Sequence, residues 1–173
     1  MNSTQETQNA QNANGTQDAQ DTLRADVLVI GFGKGGKTAA AALGRLGRRV
    51  VLVEQSERMY GGTCPNVGCV PSKGLVHHSR KRREDDDPQE FYRDAVQKVQ
   101  QVREFMRAGN YDGLNSLETV SVVTGRAVFT DPHTVAVTTD VGDRLTVSAE
   151  THPSSTEAFN ELPTVIVHED DEN

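Results

Sequence analysis

A glycine-rich loop between two apolar segments constrains the fold of this chain more than any other feature. Residues 26–30 and 49–53 are short, apolar and rich in β-branched side chains, which predicts two buried strands. The loop at residues 31–36 follows the first strand directly, and residues 38–46 contain mostly strong helix formers. The order strand, glycine loop, helix and strand predicts a βαβ unit in an α/β fold with a parallel sheet.

Three glycines of this loop have the spacing of a dinucleotide-binding fingerprint. Gly31 would permit the tight turn, Gly33 the close approach of a pyrophosphate, and Gly36 the close packing of helix on strand. The phosphates would bind the amide groups at the N-terminus of the helix. Glu54, at the end of the second strand, would accept hydrogen bonds from the adenosine ribose. Together these residues predict a bound dinucleotide.

The same loop also matches the phosphate-binding loop of NTPases. Gly31 and Gly36, followed by Lys37 and Thr38, satisfy the pattern G-x-x-x-x-G-K-[ST]. Such an enzyme also needs an acidic residue after a later apolar strand to help hold magnesium, and the candidate segment is residues 165–170. The dinucleotide interpretation is favoured, because the NTPase alternative explains neither the acidic end of the second strand nor the cysteine segment that follows it.

The chain has two cysteines, Cys64 and Cys69, both within the glycine- and proline-rich residues 60–73. No second pair of cysteines or histidines follows at zinc-ligand spacing, so we expect no metal site. The pair suits reversible oxidation instead. If Cys69 lies in the first turn of a helix, the positive end of the helix dipole would lower its pKa, and Lys73 would lie one turn along the same face. The alternative is two unrelated buried thiols.

Residues 61–73, Gly-Gly-Thr-Cys-Pro-Asn-Val-Gly-Cys-Val-Pro-Ser-Lys, resemble the redox-active disulfide signature of the class I pyridine nucleotide-disulfide oxidoreductases. This family includes dihydrolipoyl dehydrogenase, glutathione reductase and mercuric reductase. Residues 30–38 and 53–60 are most similar to the branch that contains the flavoprotein of bacterial reactive-chlorine resistance. The similarity extends from about residue 26 to residue 137.

The resemblance implies an enzyme that binds FAD and takes electrons from NAD(P)H. The electrons would pass to a Cys64–Cys69 disulfide, with Cys69 as the flavin-facing thiol and Cys64 as the thiol that exchanges with substrate. The acceptor would be a small-molecule disulfide or a metal ion. Family members form homodimers through a C-terminal interface domain, which we expect this chain to lack. That domain also supplies the catalytic histidine, so His77 and His78 inherit no such role.

The resemblance also assigns cofactor contacts outside the glycine loop. Gly62 and Thr63 would contact the cofactor, and Lys73 would lie near the flavin ring and tune its electronics. Gly125 and Ala127 belong to a segment similar to the family's G-x-A-x-F strand, whose backbone lies against the adenine of FAD. These five residues complete the expected cofactor site.

Downstream of the cysteines, the sequence predicts a helix and then a small antiparallel meander. Pro88 suits the first turn of a helix capped by Asp87. An apolar stripe runs along this helix, and Gly109 and Asn110 would end it. From Val120 the apolar period changes to two, and turn signals separate the following short apolar runs, which predicts the meander.

Composition limits the function classes. A chain of 173 residues is expected to form one domain. Its net charge of -7 and isoelectric point of about 5.2 disfavour a non-specific nucleic-acid surface. No apolar run approaches the roughly 20 residues that span a bilayer, so we expect no membrane segment. Without a secretory signal, the expected location is the cytoplasm.

We therefore expect three segments. Residues 1–24 would be a disordered extension rich in Gln and Asn, and residues 25–150 would be an FAD-binding domain with a redox disulfide. Residues 151–173 would be an acidic C-terminal tail, in which residues 164–167 could form a strand. The expected fold is a Rossmann-like FAD-binding domain: a parallel sheet with helices on both faces and a small antiparallel meander. Compared with the family's three modules the chain is expected to be truncated. Alternative functions are a flavin-binding or partner-binding module without its own NAD(P) site, and an inactive remnant.

Overall fold

The computed structural model describes residues 22–149 and 165–167. Most of the predicted disordered extension and most of the predicted acidic tail lie outside these residues. In chain order the elements are β1 (Thr22–Ala25), β2 (Val27–Ile30), α1 (Lys34–Arg45), β3 (Val50–Glu54), α2 (Thr63–Asn66), α3 (Cys69–Ser79), α4 (Pro88–Asn115), β4 (Val120–Thr124), β5 (Arg126–Asp131), β6 (Thr134–Thr138), β7 (Arg144–Ala149) and β8 (Val165–Val167). A short 3₁₀ helix, Glu57–Met59, precedes α2.

The central sheet is parallel, with the strand order β4-β3-β2-β8. Val27 lies opposite Val50, and Val50 lies opposite Val120, so β2, β3 and β4 run side by side. β8 pairs with β2 on its other side. This confirms the βαβ unit and the strand expected at residues 164–167. This strand lies within residues 151–173, the segment expected to form the C-terminal tail, and pairs with the central sheet.

The second sheet has the order β1-β7-β6-β5. Its strands β5, β6 and β7 form the predicted antiparallel meander, whereas β1 runs parallel to β7. Two boundaries differ from the prediction. β1 begins at Thr22, inside the segment expected to be disordered up to residue 24, because its backbone pairs with β7. The meander begins at Arg126 rather than Val120, because β4 belongs to the parallel sheet.

Gly125 is the residue at which the chain passes from one sheet to the other. Its N–H donates to the carbonyl oxygen of Glu54 at 2.9 Å. A Cβ at this position would lie 2.7 Å from the carbonyl oxygen of Thr138 and 2.7 Å from a side-chain methyl of Val137. Glycine is therefore required here by the close approach of two strands, a role glycine commonly has inside strands.

The parallel sheet is covered by helices on one face and by the second sheet on the other. Alternate residues of β2 show this, since Val27 and Val29 pack with residues of α1 and α4 while Leu28 packs with β6 and β7. The helix-side cluster comprises Val27, Val29, Phe32, Ala40, Val50, Leu52, Tyr60, Leu114 and Val120. The expectation of helices on both faces is corrected in this respect, because the apolar side of the meander covers the second face.

The long helix α4 begins as predicted and ends later. Pro88 lies in its first turn, and the Asp87 carboxylate accepts two backbone N–H groups there, at 2.9 and 2.8 Å. The helix continues to Asn115 instead of ending at Gly109. Leu114, in its last turn, is buried in the helix-side cluster, and this burial favours the longer helix. No helix among the described residues is both long and apolar enough to cross a bilayer.

An ion pair connects the turn between β1 and β2 to the start of β3. The Asp26 carboxylate accepts a hydrogen bond from the Arg49 guanidinium at 2.7 Å and from the Arg49 backbone N–H at 2.9 Å. The hydrogen bond with the Arg49 side chain is the main reason that the pKa of Asp26 is lowered, and partial burial opposes it. The pair is open to solvent on the arginine side, where the side chain is 53% exposed, so its contribution is modest.

We expect Asp26→Asn to lower the free energy of unfolding by about 1 kcal/mol at neutral pH, as measured by urea denaturation. Because the folded-state pKa is lowered, this contribution is present above the unfolded-state pKa and is lost as the pH falls through the folded-state pKa. The two proteins should therefore begin to converge in stability as the pH falls below about 4, and should be equally stable below the folded-state pKa. A difference that persists in acid would contradict the assignment. Asp94→Asn, which removes an exposed pair with Lys98 on α4, is the control and should change little.

Candidate functional site

The glycine loop lies at the carboxyl end of β2 and leads directly into α1. Gly31 has a φ of 99°, a conformation that glycine adopts without strain. Gly33 precedes the helix in an extended conformation, and no side chain of the described residues caps the helix. A Cβ at Gly36 would lie 2.1 Å from the carbonyl oxygen of Gly31. The turn and packing roles predicted for Gly31 and Gly36 are confirmed, and the phosphate contact at Gly33 stays a prediction.

Glu54 connects the end of β3 to the glycine loop. Its side chain is buried, with 4% of the residue exposed. One carboxylate oxygen accepts the Phe32 N–H at 2.8 Å, and the other accepts the Ser56 N–H at 3.3 Å. Each carboxylate oxygen has two lone pairs, so a ribose hydroxyl could still donate to this group. The structure therefore adds a second role for Glu54, which is to hold the loop, while the ribose contact stays a prediction.

The cysteine segment packs directly on the glycine loop. Gly61 and Gly62 have φ values of 90° and 79°. A Cβ at Gly62 would lie 2.6 Å from the Cα of Gly33, so backbone meets backbone at this point. The contact brings together two regions that the sequence analysis assigned to one cofactor, since Thr63 and Cys64 follow immediately.

Asn66 is a site residue that the sequence analysis missed. Only 1% of it is exposed, and its side-chain NH₂ donates to the carbonyl oxygens of Tyr60 at 3.0 Å and Gly62 at 2.8 Å. Among the described residues its side-chain oxygen has no hydrogen-bond partner. The available signal was a small polar residue four positions after a pair of adjacent glycines, Gly61 and Gly62. Asn66 therefore holds the turn that carries Cys64.

The two cysteines lie next to each other at the start of α3. Cys64 belongs to α2, Cys69 is the first residue of α3, and both are exposed free thiols. A hydrogen bond between them is the main cause of a raised pKa of Cys64, and the nearby charge of Lys73 acts in the opposite direction. The structure thus brings the pair together at a helix N-terminus, as the sequence analysis expected. The disulfide itself stays a prediction.

Close packing of α3 on α4 positions this thiol pair. A Cβ at Gly74 would lie 2.8 Å from a methyl of Val99, so the two helices approach each other closely.

Lys73 and His77, on the same helix as the thiol of Cys69, are both exposed. The rings of His77 and His78 meet edge to edge, with their centroids 5.7 Å apart. Neither histidine is among the causes of the pKa shift of Cys64.

The two residues predicted to lie near the adenine differ in position. Gly125 lies next to the end of β3 through its hydrogen bond to the Glu54 carbonyl oxygen. Ala127 is two residues further, within β5, where it is partly buried opposite Val137 and packs against the core between the two sheets. Gly125 is therefore close to the expected nucleotide end of the site, and a contact of either residue with adenine stays a prediction.

The lysine of the alternative phosphate-binding loop contacts a different element. Lys37 donates from its ammonium to the side-chain oxygen of Asn110 on α4 at 2.5 Å. Both residues line a cavity of about 330 Å³ between α1 and α4. This contact directs the ammonium to α4, whereas the NTPase interpretation requires a lysine that reaches the phosphates. Asn110, predicted to lie at a helix end, is a second residue whose role the sequence analysis missed.

The described residues fit an FAD site and do not form a metal centre. The glycine loop offers an uncapped helix N-terminus of the kind that binds a pyrophosphate, and the Gly33–Gly62 contact leaves no room for a side chain beside it. Glu54 and Gly125 adjoin at the end of β3, and the thiols lie at the start of α3. Within residues 22–149 and 165–167, no three His, Cys, Asp or Glu side chains are grouped as metal ligands.

Comparisons with known proteins agree with this geometry. The family described as "Pyridine nucleotide-disulphide oxidoreductase" matches residues 25–151. The probable pyridine nucleotide-disulfide oxidoreductase RclA of Escherichia coli K12 is 42% identical over 110 residues, which are 64% of this chain and 23% of that protein. Dihydrolipoyl dehydrogenase of Staphylococcus aureus is 35% identical over 124 residues, covering 66% of this chain and 26% of that protein.

Solved structures lead to the same relatives. The Cu(II) complex of the HOCl-induced flavoprotein disulfide reductase RclA from Escherichia coli superposes with a TM-score of 0.68 at 32% identity, over 84% of this chain and 28% of that one. A second structure of the same reductase gives a TM-score of 0.61 at 33% identity, over 78% of this chain and 29% of that one. This chain therefore spans about a quarter of the length of the relatives it matches.

Proposed function

Because this chain belongs to the pyridine nucleotide-disulphide oxidoreductase family, we propose that it forms the FAD-binding part of a disulfide oxidoreductase in which Cys64 and Cys69 cycle between dithiol and disulfide. The observation that carries the proposal is the contact between the two thiols at the N-terminus of α3. The segment that bears them packs on the glycine loop through Gly62 and Gly33. A redox pair beside a nucleotide loop is the arrangement that flavin-to-thiol electron transfer requires.

FAD would be held mainly by backbone groups. The pyrophosphate would bind the N-terminus of α1 next to Gly31 and Gly33, and Glu54 would accept a ribose hydroxyl while its other contacts hold the loop. Lys73 would lie near the flavin ring, where its charge favours electron-rich states. When bound, FAD supplies two-electron transfer between NAD(P)H and the disulfide.

The thiol chemistry follows from the exposure of the pair. Cys64, as a thiolate, would attack one sulfur of an acceptor disulfide, and the other acceptor sulfur would leave as a thiolate. Cys69, also deprotonated, would then attack the sulfur of Cys64 in the mixed disulfide and release the second acceptor thiolate. The products are a Cys64–Cys69 disulfide and a reduced acceptor, so two electrons leave the chain.

The proposed acceptor is a small-molecule disulfide or a metal ion. The Escherichia coli flavoprotein was solved as a Cu(II) complex, so Cu(II) is included, and two Cu(II) ions would each take one electron. We place this chemistry in the cytoplasm, where thiols are kept reduced, and we propose a homodimer as the working assembly by analogy with the family.

Trapping a mixed disulfide tests the proposal. In the flavin-loaded chain, Cys69→Ser should accumulate a mixed disulfide between Cys64 and an aromatic disulfide probe, because the thiol that would release the probe is gone. Cys64→Ser should react at least about tenfold more slowly, because the bound flavin would cover Cys69, which is exposed in the chain itself. Wild-type protein should release both probe thiols and form the internal disulfide. Intact-mass spectrometry measures all three outcomes.

Two results would overturn the proposed function. The first is a purified chain that retains no flavin after incubation with FAD and desalting. The second is equal trapping of the probe by both serine variants, which would assign no distinct roles to Cys64 and Cys69.

A further inference from the structure

Lys37 is a basic residue that the proposed function does not use. It lies in the first turns of α1, and its ammonium donates to the side-chain oxygen of Asn110 on α4. The Asn110 amide is itself oriented, because its NH₂ donates to the carbonyl oxygen of Met106 at 2.7 Å. The lysine is thus held at a defined position by a helix distant in sequence.

Asn110 also supports the turn that leads to Cys64. A Cβ at Gly61 would lie 2.5 Å from the side-chain nitrogen of Asn110, so this amide packs directly on the Gly61 backbone. Gly61 has a φ of 90°, so any other residue would be strained there. Contacts therefore run from Lys37 through Asn110 to Gly61, three residues before Cys64. They join α1, α4 and the cysteine segment.

Lys37 and Cys64 also interact electrostatically. The pKa of Lys37 is lowered mainly by burial and further by Lys34, and the charge of Cys64 raises it. The interaction of two charges is mutual, so the Lys37 ammonium favours the Cys64 thiolate in return. Lys73 acts on Cys64 in the same direction, whereas Cys69 raises its pKa.

Other charged groups lie on the elements that pack against α2. The 3₁₀ helix contributes Glu57 and Arg58, and α4 contributes Arg107, whose guanidinium donates to the Arg58 carbonyl oxygen at 3.3 Å. None of these three is among the causes of the Cys64 shift. Cys69 and Lys73 are the charged groups among the causes of the Cys64 shift, and the interaction of Lys37 with Cys64 is seen in the pKa of Lys37.

We propose that Lys37 is a positioning residue for Cys64: through Asn110 it holds the turn at Gly61, and its ammonium favours the thiolate that attacks the acceptor. The proposal rests on the proposed function, because it assigns Cys64 the exchange role. This role also explains why a lysine that does not bind a phosphate follows the glycine loop, since its ammonium is directed to α4.

The pH dependence of Cys64 alkylation tests this. In full-length, flavin-loaded protein carrying Cys69→Ser, Cys64 is the remaining thiol, and its reaction rate with iodoacetamide reports the thiolate fraction. Lys37→Met should move the midpoint of the rate profile to higher pH and slow the reaction about threefold at neutral pH. Lys37→Arg keeps the charge and should restore most of the rate, a rescue that a purely structural role would not predict.

Lys98→Met is the matched control. Lys98 is an exposed lysine on α4 that pairs with Asp94, so its loss removes one positive charge without touching the cysteine segment. An unchanged profile in Lys37→Met, or an equal shift in Lys98→Met, would overturn the inference. If Lys37→Met fails to fold by circular dichroism, Asn110→Leu decides: release of Lys37 should slow alkylation, and an unchanged rate overturns the inference.

The inference and the proposed function can fail separately. Formation of the internal disulfide on oxidation, read by mass in protein with both cysteines, reports the proposed function. The alkylation profile reports the role of Lys37. A chain that forms the disulfide but shows no effect of Lys37 would refute only the inference, whereas a chain that forms no disulfide would refute the function on which it rests.

Discussion

Gly36→Ala is expected to abolish flavin retention and to lower the free energy of unfolding by about 2–3 kcal/mol. The added Cβ would lie 2.1 Å from the carbonyl oxygen of Gly31 and 3.2 Å from a methyl of Val29. The nearest atom belongs to the backbone of the glycine loop, so it cannot move away as a flexible side chain would. Either α1 must shift from β2 or the loop must deform, and both changes displace the amide groups that would bind the pyrophosphate.

Gly113→Ala is the matched control for this prediction. Gly113 also lies inside a helix, and a Cβ there would meet no atom within 4 Å. Alanine is the better helix former, so this change should stabilise the protein by about 0.5–1 kcal/mol and leave flavin retention unchanged. Urea denaturation and flavin absorbance after desalting measure both properties. Equal effects of the two substitutions, or full flavin retention by Gly36→Ala, would contradict the packing role of Gly36.

Asn66→Asp is expected to destabilise the protein by about 3 kcal/mol or more at neutral pH. The side chains of asparagine and aspartate are closely matched in size, but an ionised aspartate has no N–H to donate to the carbonyl oxygens of Tyr60 and Gly62. Only 1% of Asn66 is exposed. A buried carboxylate facing two carbonyl oxygens would be repelled by them and would lose its hydration. The cost of the substitution therefore comes from the charge.

This origin predicts a specific pH dependence. The folded-state pKa of the new carboxyl group would be raised above its unfolded value of about 3.9. The variant should then be least affected below about pH 4, where the group is protonated in both states, and should lose stability as the pH rises towards the folded-state pKa. Asn115→Asp, at the exposed end of α4, is the control and should change little. A loss of stability for Asn66→Asp that is independent of pH would refute the explanation.

Local signals in the sequence predicted the elements that carry the site. The glycine loop between two apolar runs predicted β2, α1 and β3, and the start of α4 at Pro88 followed from its cap at Asp87. The placement of Cys69 in the first turn of a helix was also correct. Each of these features depends on residues within a few positions of one another, so pattern and propensity were sufficient.

Features that depend on contacts between distant segments were missed. The prediction ended α4 at Gly109, because the pattern could not show that Leu114 is buried against the sheet. It placed helices on both faces, because apolar alternation does not say which element covers a face. Asn66 and Asn110 were not identified as site residues, because a small polar side chain becomes structural only when it meets particular backbone atoms.

The sequence by itself determined the βαβ unit, the position of the thiol pair at the start of a helix, and the protein family. Each of these depends on the types and spacing of neighbouring residues. Only the tertiary structure decided that Gly62 packs on Gly33, that the meander covers the second face, and that Lys37 contacts α4. The physical reason is that these contacts join segments far apart in the chain. The geometry of these contacts depends on how the helices and the two sheets pack together, and this packing cannot be predicted from a local sequence pattern.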